Sequence, residues 1–130
     1  MLPDHKDIAG YILSNYGDAG KIVEVGIGAE DSLFRELARK KGLEVLATDI
    51  APIAGAYRDD AREPDMAIYR GADLIYSIRP PPELIPHLER IADHVGASLL
   101  IRPLSTDSCC KPPSMRLVNH GKAVLWEKRL

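Results

Sequence analysis

Cysteine is nearly absent from this chain. The two that occur, Cys109 and Cys110, are adjacent. Neighbouring cysteines bridge only under strain, so no disulfide framework is expected. Two adjacent ligands cannot close a tetrahedral zinc site, so no metal is expected either. Long apolar runs are also missing: none approaches the roughly 20 residues that span a bilayer. The opening stretch, MLPDHKDIAG, has neither the basic region nor the apolar run of a secretory signal. A cytoplasmic protein without membrane association is therefore expected. Strong positive charge is lacking as well. The net charge is −2, so nucleic acid is not indicated as a partner. Finally, no Ser–His–Asp or Cys–His arrangement is suggested. His5, His87, His94 and His120 fall on helix or turn positions expected to be exposed, and nothing in the pattern selects one as a base.

What is present suits one globular domain over residues 1–130, with 45% apolar residues. PDHKDIAGYILSNYG places Ile8, Tyr11, Ile12 and Tyr16 at helical spacing, which predicts a helix over 4–16 started by Pro3 and Asp4. KIVEVG predicts a strand over 21–26. EDSLFRELARKKG predicts a helix with acids in its first turn, bases in its last and Gly42 at its end. LEVLATDI predicts a second buried strand ending at Asp49. Strand, helix and strand within about 30 residues form a βαβ unit with parallel strands.

The middle of the chain, APIAGAYRDDAREP, is too short for a full helix and strand. It predicts a short extended piece near Ala56–Asp59, followed by a helix between Pro64 and Gly71. ADLIYSI predicts a strand over 73–78, in which Tyr76 is read as core. PPELIPHLERIADHVG predicts a helix with Pro86 in its first turn, and ASLLIRPL a further strand. TDSCCKPPS is a loop, and MRLVNHGKAVLWEKRL reads as two strands around a turn at Asn119–Gly121. The sum is an α/β fold: an open, mostly parallel sheet with helices on both faces and an antiparallel C-terminal hairpin. Residues 101–130 carry six basic residues against two acidic ones. Such a region can face an anion, but is more commonly a solvated surface.

The most informative stretch is KIVEVGIGAEDS. Glycines after a parallel strand let the backbone turn sharply and approach a ligand. As a dinucleotide loop, G-x-G-x-x-G, it would carry Asp31 in the third glycine position, where an acid repels pyrophosphate. This weakens an oxidoreductase reading. As acid-x-Gly-x-Gly it fits Glu24, Gly26 and Gly28, the way Rossmann-like methyltransferases hold S-adenosylmethionine. Asp49 follows the loop by about 20 residues, at a strand end where a carboxylate can accept the ribose hydroxyls. A simpler alternative stays open: the glycines form a tight turn and Asp49 caps local backbone.

VEVGIGAE, ATDIAP, DDAREP and above all DLIYSIRPPPEL resemble a small uncharacterised archaeal family with a methyltransferase-like Rossmann fold. The resemblance covers essentially the whole chain. It implies the three-layer fold of S-adenosylmethionine-dependent methyltransferases, with no assigned substrate. Glu24, Gly26 and Gly28 are implied as cofactor loop, Asp49 as ribose acceptor and Asp60 as adenine contact. The chain departs from the family of methyltransferases at Glu30, where a small residue is usual.

The Ile78-Arg79-Pro80-Pro81-Pro82 segment falls at the carboxyl edge of the sheet, beside the expected cleft. Three prolines remove three N–H donors and stiffen the chain. Amino methyltransferases use an acceptor side chain and a carbonyl here. Arg79 is only a donor and cannot be that acceptor, although Ser77 or the carbonyls around Pro80 can. Arg79 suits a carboxylate or phosphate on a small substrate, or an ion pair with Glu83. So short a chain leaves little sequence for a substrate lid. A partner subunit or self-association is expected to complete the site if the protein is an enzyme. The alternative is a non-catalytic module that binds an adenosyl ligand or another protein.

Overall fold

The computed structural model describes residues 3–104 and 111–130, so Cys109 and Cys110 lie outside the described residues. Seven strands and four helices follow in the order α1 (His5–Tyr16), β1 (Lys21–Val25), α2 (Ser32–Ala38), β2 (Glu44–Asp49), β3 (Tyr57–Arg58), α3 (Met66–Tyr69), β4 (Leu74–Ile78), α4 (Ile85–Val95), β5 (Ser98–Arg102), β6 (Arg116–His120) and β7 (Ala123–Lys128). The strands form one sheet in the order β3-β2-β1-β4-β5-β7-β6. β3, β2, β1, β4 and β5 are mutually parallel, while β7 runs antiparallel to both β5 and β6.

Two apolar clusters lie on opposite faces of this sheet. On one face Ile8 and Ile12 of α1 and Leu33 and Leu37 of α2 meet Ile22, Leu74, Leu100 and Leu125. On the other, Leu88 and Ile91 of α4 and Tyr69 of α3 meet Val23, Ile75, Leu99 and Trp126. Successive residues of β1, β4 and β5 therefore alternate between two buried faces. That is why these strands read as continuous apolar runs. Each fully buried aliphatic side chain contributes roughly 1.5–3 kcal/mol, enough to hold a four-residue helix such as α3 that would not form alone.

The differences from the sequence reading are local and have physical reasons. PPEL does not join the helix that follows. Pro82–Leu84 forms a 3-10 turn and α4 begins at Ile85, which keeps Pro86 in the first turn as expected. Asp4 precedes α1, but its side chain does not cap it, because the carboxylate is committed to Arg102 Nε at 2.7 Å. α2 is shorter than expected and starts after the acids Glu30 and Asp31. The hairpin turn falls at Gly121–Lys122, so Asn119 lies within β6.

Candidate functional site

The carboxyl ends of the parallel strands bring the predicted residues to one edge. Gly26 and Gly28 follow β1 with φ of 75° and 61°, a left-handed conformation that side chains disfavour. A Cβ built at either meets no atom within 4 Å, so the requirement is one of backbone shape, and the space over both is open. Gly26 N–H and Ile27 N–H both donate to the Thr48 carbonyl, at 2.8 and 3.1 Å, which folds the loop over the end of β2.

Asp49 is the last residue of β2. One carboxylate oxygen accepts from Gly28 N–H at 2.8 Å and the other from Ala51 N–H at 2.9 Å. The capping alternative is thus part of the geometry. It does not exhaust the side chain, because each carboxylate oxygen keeps a further lone pair. Beside it opens a cavity of about 190 Å³, lined by Val25, Gly26, Asp49, Ile50, Asp59, Asp60, Ala61, Arg62, Pro81 and Leu84. Asp60 lies on its rim, with one oxygen accepting from Arg62 N–H at 2.9 Å. Asp59, also in the lining, is engaged on both carboxylate oxygens: it accepts from the Tyr69 hydroxyl at 2.8 Å and from Asp65 N–H at 2.8 Å. Ile50 is 66% exposed, a large apolar side chain left next to Asp49 with its surface toward this cavity and solvent.

Glu24 does not line the cavity. It is 2% exposed in β1 and accepts from the Tyr76 hydroxyl of β4 at 2.6 Å. Burial pushes its carboxyl up to about 7; the Tyr76 bond opposes the shift, and the neighbouring charges of Asp31 and Glu30 add to it. Glu30, in the place where a small residue is usual, turns to local backbone instead. Its carboxylate accepts from Ser32 N–H at 3.0 Å and from the Ser32 hydroxyl, which holds it below the usual carboxylate range.

Of the predicted substrate residues, Ser77 is buried and its hydroxyl donates to the Val25 carbonyl at 2.8 Å, tying β4 to β1. Pro80 is buried in the turn toward α4, and it is Pro81 that reaches the cavity. Arg79 is exposed, with φ of 55°, the one described non-glycine residue at positive φ. Its N–H donates to the Arg102 carbonyl at 2.6 Å. Among the described residues it makes no ion pair with Glu83.

The sequence reading misplaced His5. It is 2% exposed rather than solvated, and neither ring nitrogen has a hydrogen-bond partner. Its burial follows from the Asp4–Arg102 bond, which pins the start of α1 over the end of β5 across 98 residues of sequence. No local signal carries that. Ile50, Ala61 and Leu84 were also passed over, as apolar residues in loops and turns carry no chemical pattern. Among the described residues no group of three or more His, Cys, Asp or Glu is arranged to hold a metal, and no helix is long and apolar enough to cross a membrane.

This strand order and edge define a Rossmann-like fold of the methyltransferase type, and comparison with solved structures agrees. A protein-(glutamine-N5) methyltransferase, release factor-specific, from Alicyclobacillus acidocaldarius superposes with a TM-score of 0.62 at 14% identity, covering 100% of this chain and 94% of that one. Human methyltransferase 10 domain containing protein gives 0.63 at 12% identity, over 98% of this chain and 81% of that one. At such identities the likeness is one of fold. The chain itself belongs to the uncharacterised protein family UPF0146, whose model matches residues 5–130. A UPF0146 protein of Archaeoglobus fulgidus is 47% identical over 124 residues, 92% of this chain and 90% of the relative. One from Methanothermobacter thermautotrophicus is 42% identical over 122 residues, 93% and 92% of the two chains.

Proposed function

We propose that this protein binds S-adenosylmethionine at the carboxyl edge of β1, β2 and β3 and is a methyltransferase acting on a small, anionic acceptor. The observation that carries this reading is the join between Asp49 and the glycine loop. A carboxylate ends β2, the Gly28 amide fixes its direction, and it faces a cavity with an apolar floor. The residues fit the ligand. Open space over Gly26 and Gly28 admits a close approach, the free lone pairs of Asp49 suit the ribose hydroxyls, and exposed Ile50 offers an apolar face to adenine. Asp60 on the rim suits the adenine amine. Bound there, S-adenosylmethionine supplies an electrophilic methyl carbon.

The chain's own contribution is position. Asp49 and the loop orient the ligand, and catalysis by orientation needs no nucleophilic side chain. Glu24 and Tyr76 lie beneath the loop on the side away from the cavity. There burial pushes the Glu24 carboxyl up to about 7, so a cationic group brought near it favours loss of its proton.

A second reading is favoured by one feature. β3 has two residues and α3 four, so the middle of the chain builds no cover over the cavity. An adenosyl-binding module that works within a complex, or an enzyme completed by a second copy, accommodates this. Calorimetric titration with S-adenosylmethionine, S-adenosylhomocysteine and NAD, on the wild type and Asp49→Ala, tests the proposal. Binding of the adenosyl pair that Asp49→Ala weakens at least about tenfold is expected, the loss of roughly 1.4 kcal/mol or more of hydrogen bonding. Absence of heat with both adenosyl compounds overturns it, and binding of NAD alone would restore the dinucleotide reading.

A further inference from the structure

We propose that the cavity between α4 and residues 61–66 is a binding site for a small organic acid, an apolar body carrying one carboxylate, with Arg90 as the group that holds the carboxylate. The site is separate from the adenosyl cavity and does not rest on the cofactor reading.

α4 is one helix with two unlike flanks. Its buried stripe is Ile85, Leu88, Ile91 and Ala92. On one side of that stripe, helical spacing sets Glu89 and Asp93 one turn apart. Both are matched. Lys128 of β7 reaches Glu89 at 3.4 Å and Asp93 at 3.1 Å, and the Ser114 hydroxyl donates to Glu89 at 3.0 Å. On the other side the same spacing aligns His87, Arg90 and His94. Among the described residues no carboxylate pairs with Arg90 or with either histidine. The acidic flank is closed by the protein itself, and the basic flank has no counterpart within it.

That basic flank borders a cavity. His87, Arg90 and His94 line a space of about 220 Å³ whose other walls are Ala61, Pro64, Met66 and Ile91. Ala61 and Ile91 are buried, Pro64 and Met66 half-buried, and all four are apolar. An apolar cavity of about 150 Å³ is large enough to hold benzene. This one therefore has room for a ring with a carboxylate at its mouth. Water is the poorer occupant, because it serves the nitrogens but leaves the apolar walls wet.

The donors suit an anion. Arg90 Nη1 and His87 Nδ1 are 3.3 Å apart. A guanidinium only donates, so Nδ1 accepts, the His87 proton sits on Nε2, and that N–H is a further donor. Arg90 spends one N–H on His87 and keeps the rest of its planar fork, which matches the two oxygens of a carboxylate. The walls thus select an apolar body and the rim selects its charge. Ala61 lines the first cavity as well, so an acid bound here touches a residue that both cavities share.

Benzoate is the probe, with acetate as an anion that has no ring and benzyl alcohol as a ring that has no charge. The Cε1–Hε1 NMR signals of the four histidines in the full chain report where each binds. His87→Gln and His94→Gln assign the two signals of interest. Benzoate should move both of these saturably below about 10 mM, and leave those of His5 and His120 in place. Acetate and benzyl alcohol should each bind at least about tenfold more weakly. Arg90→Gln alters an exposed side chain, so it should keep the melting temperature while weakening benzoate about tenfold. Either signal failing to move, a response to acetate or benzyl alcohol equal to that for benzoate, or unchanged benzoate affinity in Arg90→Gln overturns the site.

Discussion

Two glutamates of this molecule are buried in the same sheet and do opposite things. Glu127 of β7 has a side chain with no exposure, yet it is surrounded by donors. Tyr11 and Tyr16 of α1 reach it at 2.8 and 2.7 Å, and Arg116 and Arg129 pair with it at 2.6 and 3.2 Å. Burial alone would raise its carboxyl; the bonds from Tyr16, Arg116, Tyr11 and Arg129 outweigh that and hold it below the usual value. Glu24 of β1 is buried as deeply, and Tyr76 is its hydrogen-bond partner. No cation pairs with it among the described residues, and its nearest charged neighbours are acids. The first glutamate is a finished structural joint between α1 and the C-terminal strands. The second is an unfinished one, in the strand that leads into the glycine loop but outside the lining of the cavity. Burial itself does not separate the two roles; the supply of partners does.

The comparison breaks most visibly at Glu127. Glu127→Ala leaves two arginines and two tyrosine hydroxyls facing an emptied site and should cost about 3–5 kcal/mol in urea denaturation. A loss below ~1 kcal/mol would mean the joint is ornamental. Next in size is the pH response of Glu24. Its folded value, about 7, lies above its ordinary 4.5, so the native state holds a proton that the unfolded chain has released. Stability from this group is full below 4.5 and is lost as pH rises through about 7. The slope is at most ~1.4 kcal/mol per pH unit for one proton. Denaturation of Glu24→Gln across that range should lack this fall, and a parallel wild-type curve would refute the assignment. Glu127 has the opposite sign: its contribution is present above its unfolded value and is lost on acidification.

Gly28→Ala comes third. It places a side chain at φ 61° in open space, so strain of about 1–2 kcal/mol is expected with no steric clash. Thermal melts should show it, and the change should weaken adenosyl binding by moving the amide that holds Asp49. The smallest effect is at the surface. Arg39→Ala removes an exposed pair with Glu36 and should alter stability by less than ~0.5 kcal/mol.

The contrast also marks what the sequence could disclose. The places of Gly26, Gly28 and Asp49 were legible because a βαβ unit fixes where its strands end, and the two glycines answer a backbone requirement there. The abbreviated β3 was legible from the few residues available between Asp49 and Pro64. Glu127 and His5 were not. Their surroundings are assembled from residues 116 positions away in one case and 98 from the tether in the other. The hairpin could be read from Gly121, but not that β7 would take the inner place beside β5 and leave β6 at the edge. That choice depends on which strand carries Leu125 and Trp126 into the two cores, and alternation alone is the same for either strand.

The position of β7 has a consequence for how the protein is made. This strand leaves the ribosome after the six others, yet it belongs inside the sheet, between β5 and β6. A nascent chain that has emerged as far as β6 has no partner to pair it with and lacks Leu125 and Trp126, one for each face. β5 is meanwhile left with an open edge. Completion of both cores, and closure of the Glu127 joint on α1, must therefore wait for the end of β7 to clear the exit tunnel. Until then the edge of β5 offers unpaired backbone groups to any other strand that meets it.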